Sequence, residues 1–584
     1  MKKGYVSYLV ALPILISAIY PCRTSFADSS ENTDINSATS YSNMNVVNNF
    51  DIDEFKRTIS ESEEKFLAEK NYDEAKKFIQ SESLILDDLS SSYIILQYKY
   101  LNDNTDMNSF YEMNKMGALI YEAENSLKSC INKLSAVDIY AKLKEDFKLS
   151  PSYSHDFINT QSSLINNYYS SSDYEKLADI YVDLVSCRNA EAANKSYDDY
   201  SQMLFKQVYN RDYTLSDIQN VDTQLQGFIS LYEKINIDLT ESYSCNSTLS
   251  AEETLKKFEN TLSVLPESIS SVYSNAKTNK LFSMVDNENG SNTSITSYLY
   301  KYHQPCTYIK YSKTEYDFSN LVNELGLYTA LYYKENKNSY FGSNNTGNDF
   351  LLTIRDYIKL LYARDDCQNI MSEILQELKN AYVINSFEAY AYTETDLTVE
   401  KLSQKYYQIN KSLGVSYPEG QTSDNSWVYT EVIYTAPFSM ADNIVAALNV
   451  LEYYDIIKSG ESGKAENILD SFLTSPVSQG MSELLKSNNM SWCFESKHIQ
   501  SLTDKYKTYL SEIYLLNDTG IPGDTNNDGC VTIRDVVIIK KYILCDINME
   551  KMIAKGYSIE NADINNDKEI NIFDLQRVCK ILIE

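Results

Sequence analysis

Glycine and proline are scarce, 16 and 9 among 584 residues. Strand-and-turn architectures need both wherever the chain reverses, so the shortage moves the expectation toward helices. Histidine is scarcer still. His155, His303 and His498 are the only three, and none stands at a metal-ligand spacing. The ten cysteines include no CxxC pair, which removes the usual structural zinc site. Basic charge is also short: 52 Lys and Arg against 82 Asp and Glu leave a formal charge of -30, which argues against nucleic acid or an anionic membrane as partner. After residue 27 no uninterrupted apolar run reaches the ~18 residues of a membrane span.

Tyrosine is over-used, at 50 residues. Its flat apolar face and hydroxyl suit a groove for peptide or sugar and equally suit packing between helices. The chain is long enough for one very large domain or several ordinary ones, with ample apolar content for a core. Residues 1–27 follow their own logic: Lys2-Lys3, the apolar run YLVALPILISAIY, then Ser25-Phe26-Ala27 with small residues at the cleavage positions. This pattern predicts a secretory signal peptide and an exported chain. Pro21 occupies the place before Cys22 where a lipoprotein signal has a small residue, so no lipid anchor is expected. Nine cysteines follow. The odd number leaves a thiol without an internal partner and fits a reducing exterior better than a disulfide-stapled fold.

Residues 28–50 are Ser/Asn-rich without helical periodicity and read as a flexible polar lead-in. Amphipathic segments then succeed one another over 51–516, predicting one large helical body. In ADNIVAALNVLEYYDIIKSG, for instance, Ile444, Ala447, Leu448, Leu451 and Tyr454 form an apolar stripe and Gly460 can end the helix. CTYIKYSKT, after Cys306, alternates instead and predicts a short strand. His303 just ahead of it is the one histidine with a context for base chemistry. Residues 517–522 are a linker to a last module, 523–584.

That module is duplicated. DTNNDGCVTIRD from Asp524 is echoed 39 residues later by DINNDKEINIFD from Asp563, and each is followed by an apolar-periodic helix. Both are twelve-residue calcium loops: side-chain oxygens come from Asp524, Asn526, Asp528 and Asp535, then from Asp563, Asn565, Asp567 and Asp574. Backbone carbonyls come from Cys530 and Glu569, and Thr532 and Asn571 act directly or through water. Hard oxygens alternating along a tight turn wrap a cation of calcium size. Gly529 suits the sharp turn of the first loop. Lys568 takes that place in the second and costs on the order of 1 kcal/mol in a left-handed conformation, so the second site is expected to be weaker.

An ordinary EF-hand has a helix before each loop and Glu at its end; here LNDTGIPG precedes the first loop and Asp ends both. This departure resembles a type I dockerin, which attaches secreted subunits to cohesin domains of a cellulosomal scaffold. The resemblance implies a small all-α calcium module and a cohesin partner. It places partner contacts at Ile533, Arg534, Lys540 and Lys541 in the first repeat and at Ile572, Phe573, Cys579 and Lys580 in the second, with Cys579 equally open to core packing. The two sets differ, so interchangeable use of the repeats is not expected.

LVNELGLYTALYY, 321–333, is preceded by a Gly-containing loop, a short edge strand and a polar turn, and followed by the PFS segment before a helix. That order resembles the oligoendopeptidase branch of the M3 metallopeptidases over residues 51–516. In the family, two histidines one helical turn apart hold zinc, the Glu between them polarises a water and a later carboxylate completes the site. Carried onto this chain, the histidine positions read Asn323 and Leu327, and only Glu324 survives. The third ligand falls most naturally at Thr353, with Asp349 and Asp356 nearby. The segment that steadies the oxyanion reads Glu431-Val432 and Ser439-Met440. No zinc is expected.

The resulting expectation is a secreted, cellulosome-associated subunit whose helical body binds peptide, protein or glycan without catalysis. The alternative is a polysaccharide-degrading or other hydrolase drawing acid and base from Glu324, Asp349, Asp356 or Glu431. Residual peptidase activity is a third reading.

Overall fold

The computed structural model describes residues 44–47, 50–134, 137–147, 153–209, 211–235, 249–287, 289–291, 293–314, 316–335, 340–341, 347–363, 368–476, 479–516, 520–526, 531–544, 547–548, 551–552, 555, 557–565 and 569–583. It is 72% helical with one small sheet, so the fold is mainly α as the scarcity of Gly and Pro implied. The segment expected to be a signal peptide, residues 1–27, lies outside the described residues. Among the described residues no helix is long and apolar enough to cross a membrane.

The first helices show how local chemistry sets the boundaries. Asp51 caps α1 (Ile52–Glu69), its carboxylate accepting from the amides of Asp53 and Glu54 at 3.1 and 2.9 Å. Lys70 then turns left-handed and Asn71 caps α2 (Tyr72–Asn102). Leu86, Leu89, Tyr93 and Leu96 of α2 pack with Met113, Met116, Ile120 and Leu127 of α3 (Met107–Lys133). This packing begins before residue 51. Met44 is buried, Val46, Val47 and Phe50 lie against the same core, and the Val47 amide donates to Ser92 Oγ at 3.0 Å. Within the segment read as a flexible lead-in, residues 44–47 and 50 thus place their few apolar side chains against that core. Two further helices, α4 (His155–Ser170) and α5 (Tyr174–Asn194), follow.

The sheet contains β1 (Phe282–Val285), β2 (Ile295–Leu299) and β3 (Gln304–Lys310) in the order β1-β3-β2, β3 pairing parallel with β1 and antiparallel with β2. The strand expected at CTYIKYSKT is thus β3, but it is central and not an edge. Cys306, Thr307, Tyr308 and Ile309 are all fully buried, on both faces. β3 packs against α2, whose Tyr98 hydroxyl donates to the Cys306 carbonyl at 2.7 Å, and against α6 (Tyr316–Lys334). A strand covered on both sides does not alternate.

Beyond α6 come α7 (Asn348–Ala363), α8 (Gln368–Thr393) and α9 (Ala441–Lys458). The apolar stripe predicted on α9 is present, yet the helix is buried nearly all round because it packs against both α7 and α8. Tyr453 of α9 stacks on Tyr357 of α7 with centroids 3.8 Å apart. Gly460, at φ 78, ends α9 as expected.

The chain forms two compact units. One comprises Met1–Leu215, Tyr243–Tyr406 and Ser423–Ser491; the other gathers Ser216–Ser242, Tyr407–Thr422 and Trp492–Glu584. Residues 51–516 contribute to both units. In the second unit the helices Asp222–Ile235 and Ser496–Leu516 pack together, with Phe228 edge-on to Tyr506 at 5.6 Å. The duplicated module has a small core of its own, Ile538, Ile539, Met552, Ala562 and Val578, between α10 (Ile533–Ile543) and α11 (Ile572–Ile583).

Candidate functional site

Asp317 organises the entry into α6. Its carboxylate accepts from the Ser312 amide and hydroxyl at 2.8 and 2.7 Å and from the Thr314 amide at 3.0 Å, fixing the turn that leads from β3. Further along, Asn323 and Leu327 lie half-buried one helical turn apart. Glu324 is 4% exposed. Its Oε2 accepts from Thr296 Oγ1 of β2 at 2.5 Å and its Oε1 from Asn323 Nδ2 at 3.2 Å, while Thr296 also bonds its cross-strand partner Thr307 at 2.9 Å. Burial pushes the Glu324 carboxyl above its ordinary range, against the opposing pull of those two hydrogen bonds and of Arg355.

α7 carries the other expected residues. Thr353 is fully buried, and its hydroxyl has no hydrogen-bond partner among the described residues. Asp356 is committed elsewhere: both its oxygens accept from Arg355, at 2.7 and 2.9 Å, and Arg355 and Lys359 continue to Glu377 and Glu373 of α8 at 2.6 and 3.0 Å. Asp349, also buried, is pushed up to about 8, first by burial and then by the nearby charge of Asp442. Glu431 starts a separate short helix, Glu431–Thr435, and accepts from Tyr169 of α4 at 2.8 Å. Glu324 and Thr353 are thus on packed neighbouring helices, whereas Asp356 is tied into an ion-pair network and is poorly placed to exchange protons with a substrate.

The histidines are not gathered here. His303 is exposed at the β2–β3 turn, in a left-handed conformation, and the His155 side chain lies outside the described residues. His498 belongs to the second unit, where burial and then Lys505 pull its imidazole down to about 4. Among the described residues no group of three or more His, Cys, Asp or Glu is arranged to hold a metal. The loops expected to bind calcium are only partly within that set, since Asp528, Cys530, Asp567 and Lys568 lie outside the described residues.

What is described of the two loops is closely matched. Asp535 accepts from the amides of Asn526 and Thr532 at 2.9 and 2.7 Å; Asp574 accepts from those of Asn565 and Asn571 at 3.2 and 2.9 Å. Asp524, Asp535 and Asp574 are all 0% exposed. Asp563 and Asn565 are half-buried, and Glu569, expected to contribute only its carbonyl, is exposed. Gly523, at φ 99, lets the chain turn into the first loop and donates to the Asn561 carbonyl just before the second, at 2.8 Å. The expected partner residues fall on the outer faces of α10 and α11. Ile533 is 74% exposed, Phe573 61% and Ile572 49%; Arg534, Lys540, Lys541 and Lys580 are exposed as well, and Cys579 is half-buried.

Sequence reading missed Glu388, Arg211 and Asp442, each almost fully buried in the first unit. Asp442 accepts from Arg211 Nε and the Tyr213 hydroxyl, both at 2.7 Å. The available signal was a lone charge within an apolar helical stretch, as in SFEAYAY and MADNIVAAL.

The fold of the helical body is that of the oligoendopeptidase-like M3 peptidases. A protein assigned as an oligoendopeptidase F superposes with a TM-score of 0.66 at 13% identity, over 81% of this chain and 99% of its own. PZ peptidase A, in complex with an inhibitor, gives 0.64 at 14% identity over 81% and 99%. A Bacillus anthracis str. Ames protein assigned as oligoendopeptidase F gives 0.62 at 15% over 81% and 98%. Such identities establish shared architecture and leave activity open. Residues 522–583 match the dockerin type I domain, so the C-terminal module is a dockerin. No curated protein is significantly similar to the chain.

Proposed function

We propose that this chain is a secreted, cellulosome-associated subunit that docks through its dockerin, in a calcium-dependent manner, onto a scaffold cohesin. The observation that carries the reading is the matched pair of loops, each closed by a buried Asp that gathers two loop amides. The donor set fits calcium: hard oxygens only, with three carboxylates wholly withdrawn from solvent. Asp524, Asn526, Asp528, the Cys530 carbonyl and Asp535 would hold one ion; Asp563, Asn565, Asp567, the Glu569 carbonyl and Asp574 the other, more weakly. The ion would fix the loops and so the spacing of α10 and α11. The exposed Ile533, Arg534, Lys540, Lys541, Ile572, Phe573 and Lys580 would meet the cohesin. Capture of the full chain on immobilised cohesin, with calcium and then with chelator, tests this; retention that ignores the chelator sinks it.

The helical body acts by binding peptide, protein or glycan and is not a zinc peptidase. Its support is chemical. Leu327 has no atom that ligates a metal, Asn323 is a poor substitute for a neutral imidazole, and Glu324 is engaged by Thr296. Zinc analysis combined with turnover of quenched peptides is the test, and finding both metal and cleavage would overturn it.

A further inference from the structure

α10 and α11 start at the same place in the duplicated pattern, so their residues correspond at an offset of 39. At about 100° per residue, Ile533, Arg534, Val537, Lys540, Lys541 and Leu544 fall within an arc of about 120°. All six are exposed. The one acidic residue of α10 is Asp535, which is wholly buried and closes a capping box with Thr532 at the helix start. The face is therefore an aliphatic strip, Ile533, Val537 and Leu544, set among three cations with no carboxylate of the helix to neutralise them.

The equivalent arc of α11 has a different character. Phenylalanine, Phe573, stands where α10 has arginine, Gln576 where it has valine, and the half-buried Cys579 where it has the first lysine. Lys580 is the one cation in that arc. Asp574, the only acidic residue of this helix, is buried like Asp535. At matched positions the first repeat thus presents three positive charges and the second presents one.

The contrast matters because the chain as a whole carries a formal charge of -30. Charges more than a Debye length away, about 8 Å at physiological salt, are largely screened. The potential that a docking partner meets is therefore set by the local face. Exposed aliphatics among like charges make two demands on whatever covers them: apolar side chains at the centre and carboxylates around the rim. A basic surface meets only the first.

We propose that the α10 face is the leading contact in docking and that the partner presents an acidic surface around an apolar patch. The inference rests on the docking reading given above and adds the chemistry of the partner. Charge reversal tests it, with the full chain in calcium over immobilised cohesins whose docking faces are acidic, neutral or basic. The variants are Arg534→Glu/Lys540→Glu/Lys541→Glu and, as a matched charge change at exposed lysines between the two helices, Lys551→Glu/Lys555→Glu. Expected is capture by the acidic-faced cohesin that weakens about tenfold between about 0.05 and 0.5 M salt. Association should slow about tenfold for the triple variant and stay within about twofold of wild type for the double variant. A cohesin whose acidic face is reversed to lysine should capture the triple variant again. Preference for neutral or basic cohesins, or a triple variant captured like the wild type, overturns the proposal and leaves docking intact. Failure of every cohesin to capture the wild type overturns docking and the proposal together. Should the triple variant fail to fold, the wild type's salt dependence and cohesin preference decide alone.

Discussion

Gly326 of α6 faces the backbone of Arg355 on α7 so closely that a Cβ at residue 326 would lie 2.8 Å from the Arg355 Cα and 2.9 Å from its carbonyl oxygen. Neither atom can swing aside, so the glycine is what lets the two helices touch at the level of Glu324. Gly326→Ala is expected to cost about 1–3 kcal/mol by overpacking, and Gly326→Val more. Urea unfolding of the variants checks this; an unchanged midpoint would mean that the helices can separate freely.

Glu324 is buried on α6 and accepts from a threonine on β2. If the missing part is ligand chemistry alone, Asn323→His, Leu327→His and Thr353→Glu together should restore zinc uptake toward one ion per chain. Metal analysis after dialysis reads this directly. A folded triple variant as zinc-free as the wild type would show that the α6–α7 face no longer has the geometry.

Calcium binding should be unequal at the two loops because Lys568 occupies a place where Gly529 sits in the first. Lys568→Gly should tighten the second site roughly fivefold, the equivalent of about 1 kcal/mol. Asp524→Ala should instead abolish the stronger site. Calorimetric titration resolves the two, and identical affinities in the unmodified protein would contradict the assignment.

Stability should fall with rising pH. Asp349 and Glu388 are each pushed up to about 8 by burial, so both stay protonated in the folded chain where the unfolded chain has already ionised near its ordinary ~4. Their contribution is complete below that ordinary value, declines as pH rises toward 8 and levels off beyond it. Melting temperatures of the full chain from pH 5 to 9 should show the decline, and Glu388→Gln should make it shallower. Superimposable profiles for the two proteins would remove Glu388 from the explanation.

Much of the fold was legible because helices announce themselves locally. Scarce Gly and Pro implied a mainly α chain, Gly460 marked a true helix end, and CTYIKYSKT did become a strand. The errors share one cause. β3 was expected at an edge and α9 to show one face to solvent, but periodicity within a segment cannot say how many neighbours will cover it. Which distant helices meet, as those of Phe228 and Tyr506 do, is similarly invisible in a single segment.

The sequence by itself determined the duplicated pattern of oxygen-bearing side chains near the C-terminus and the residue types at 323, 324 and 327, since no arrangement makes Leu327 a metal ligand. Tertiary structure alone decided that Glu324 is bonded by Thr296, that Asp356 is tied into an ion-pair network, and that Glu388 and Arg211 grip opposite ends of Phe438. The reason is physical. Ligand spacing is a property of one stretch of chain, whereas the state of a buried carboxyl depends on which groups remote in sequence are brought against it where water is excluded.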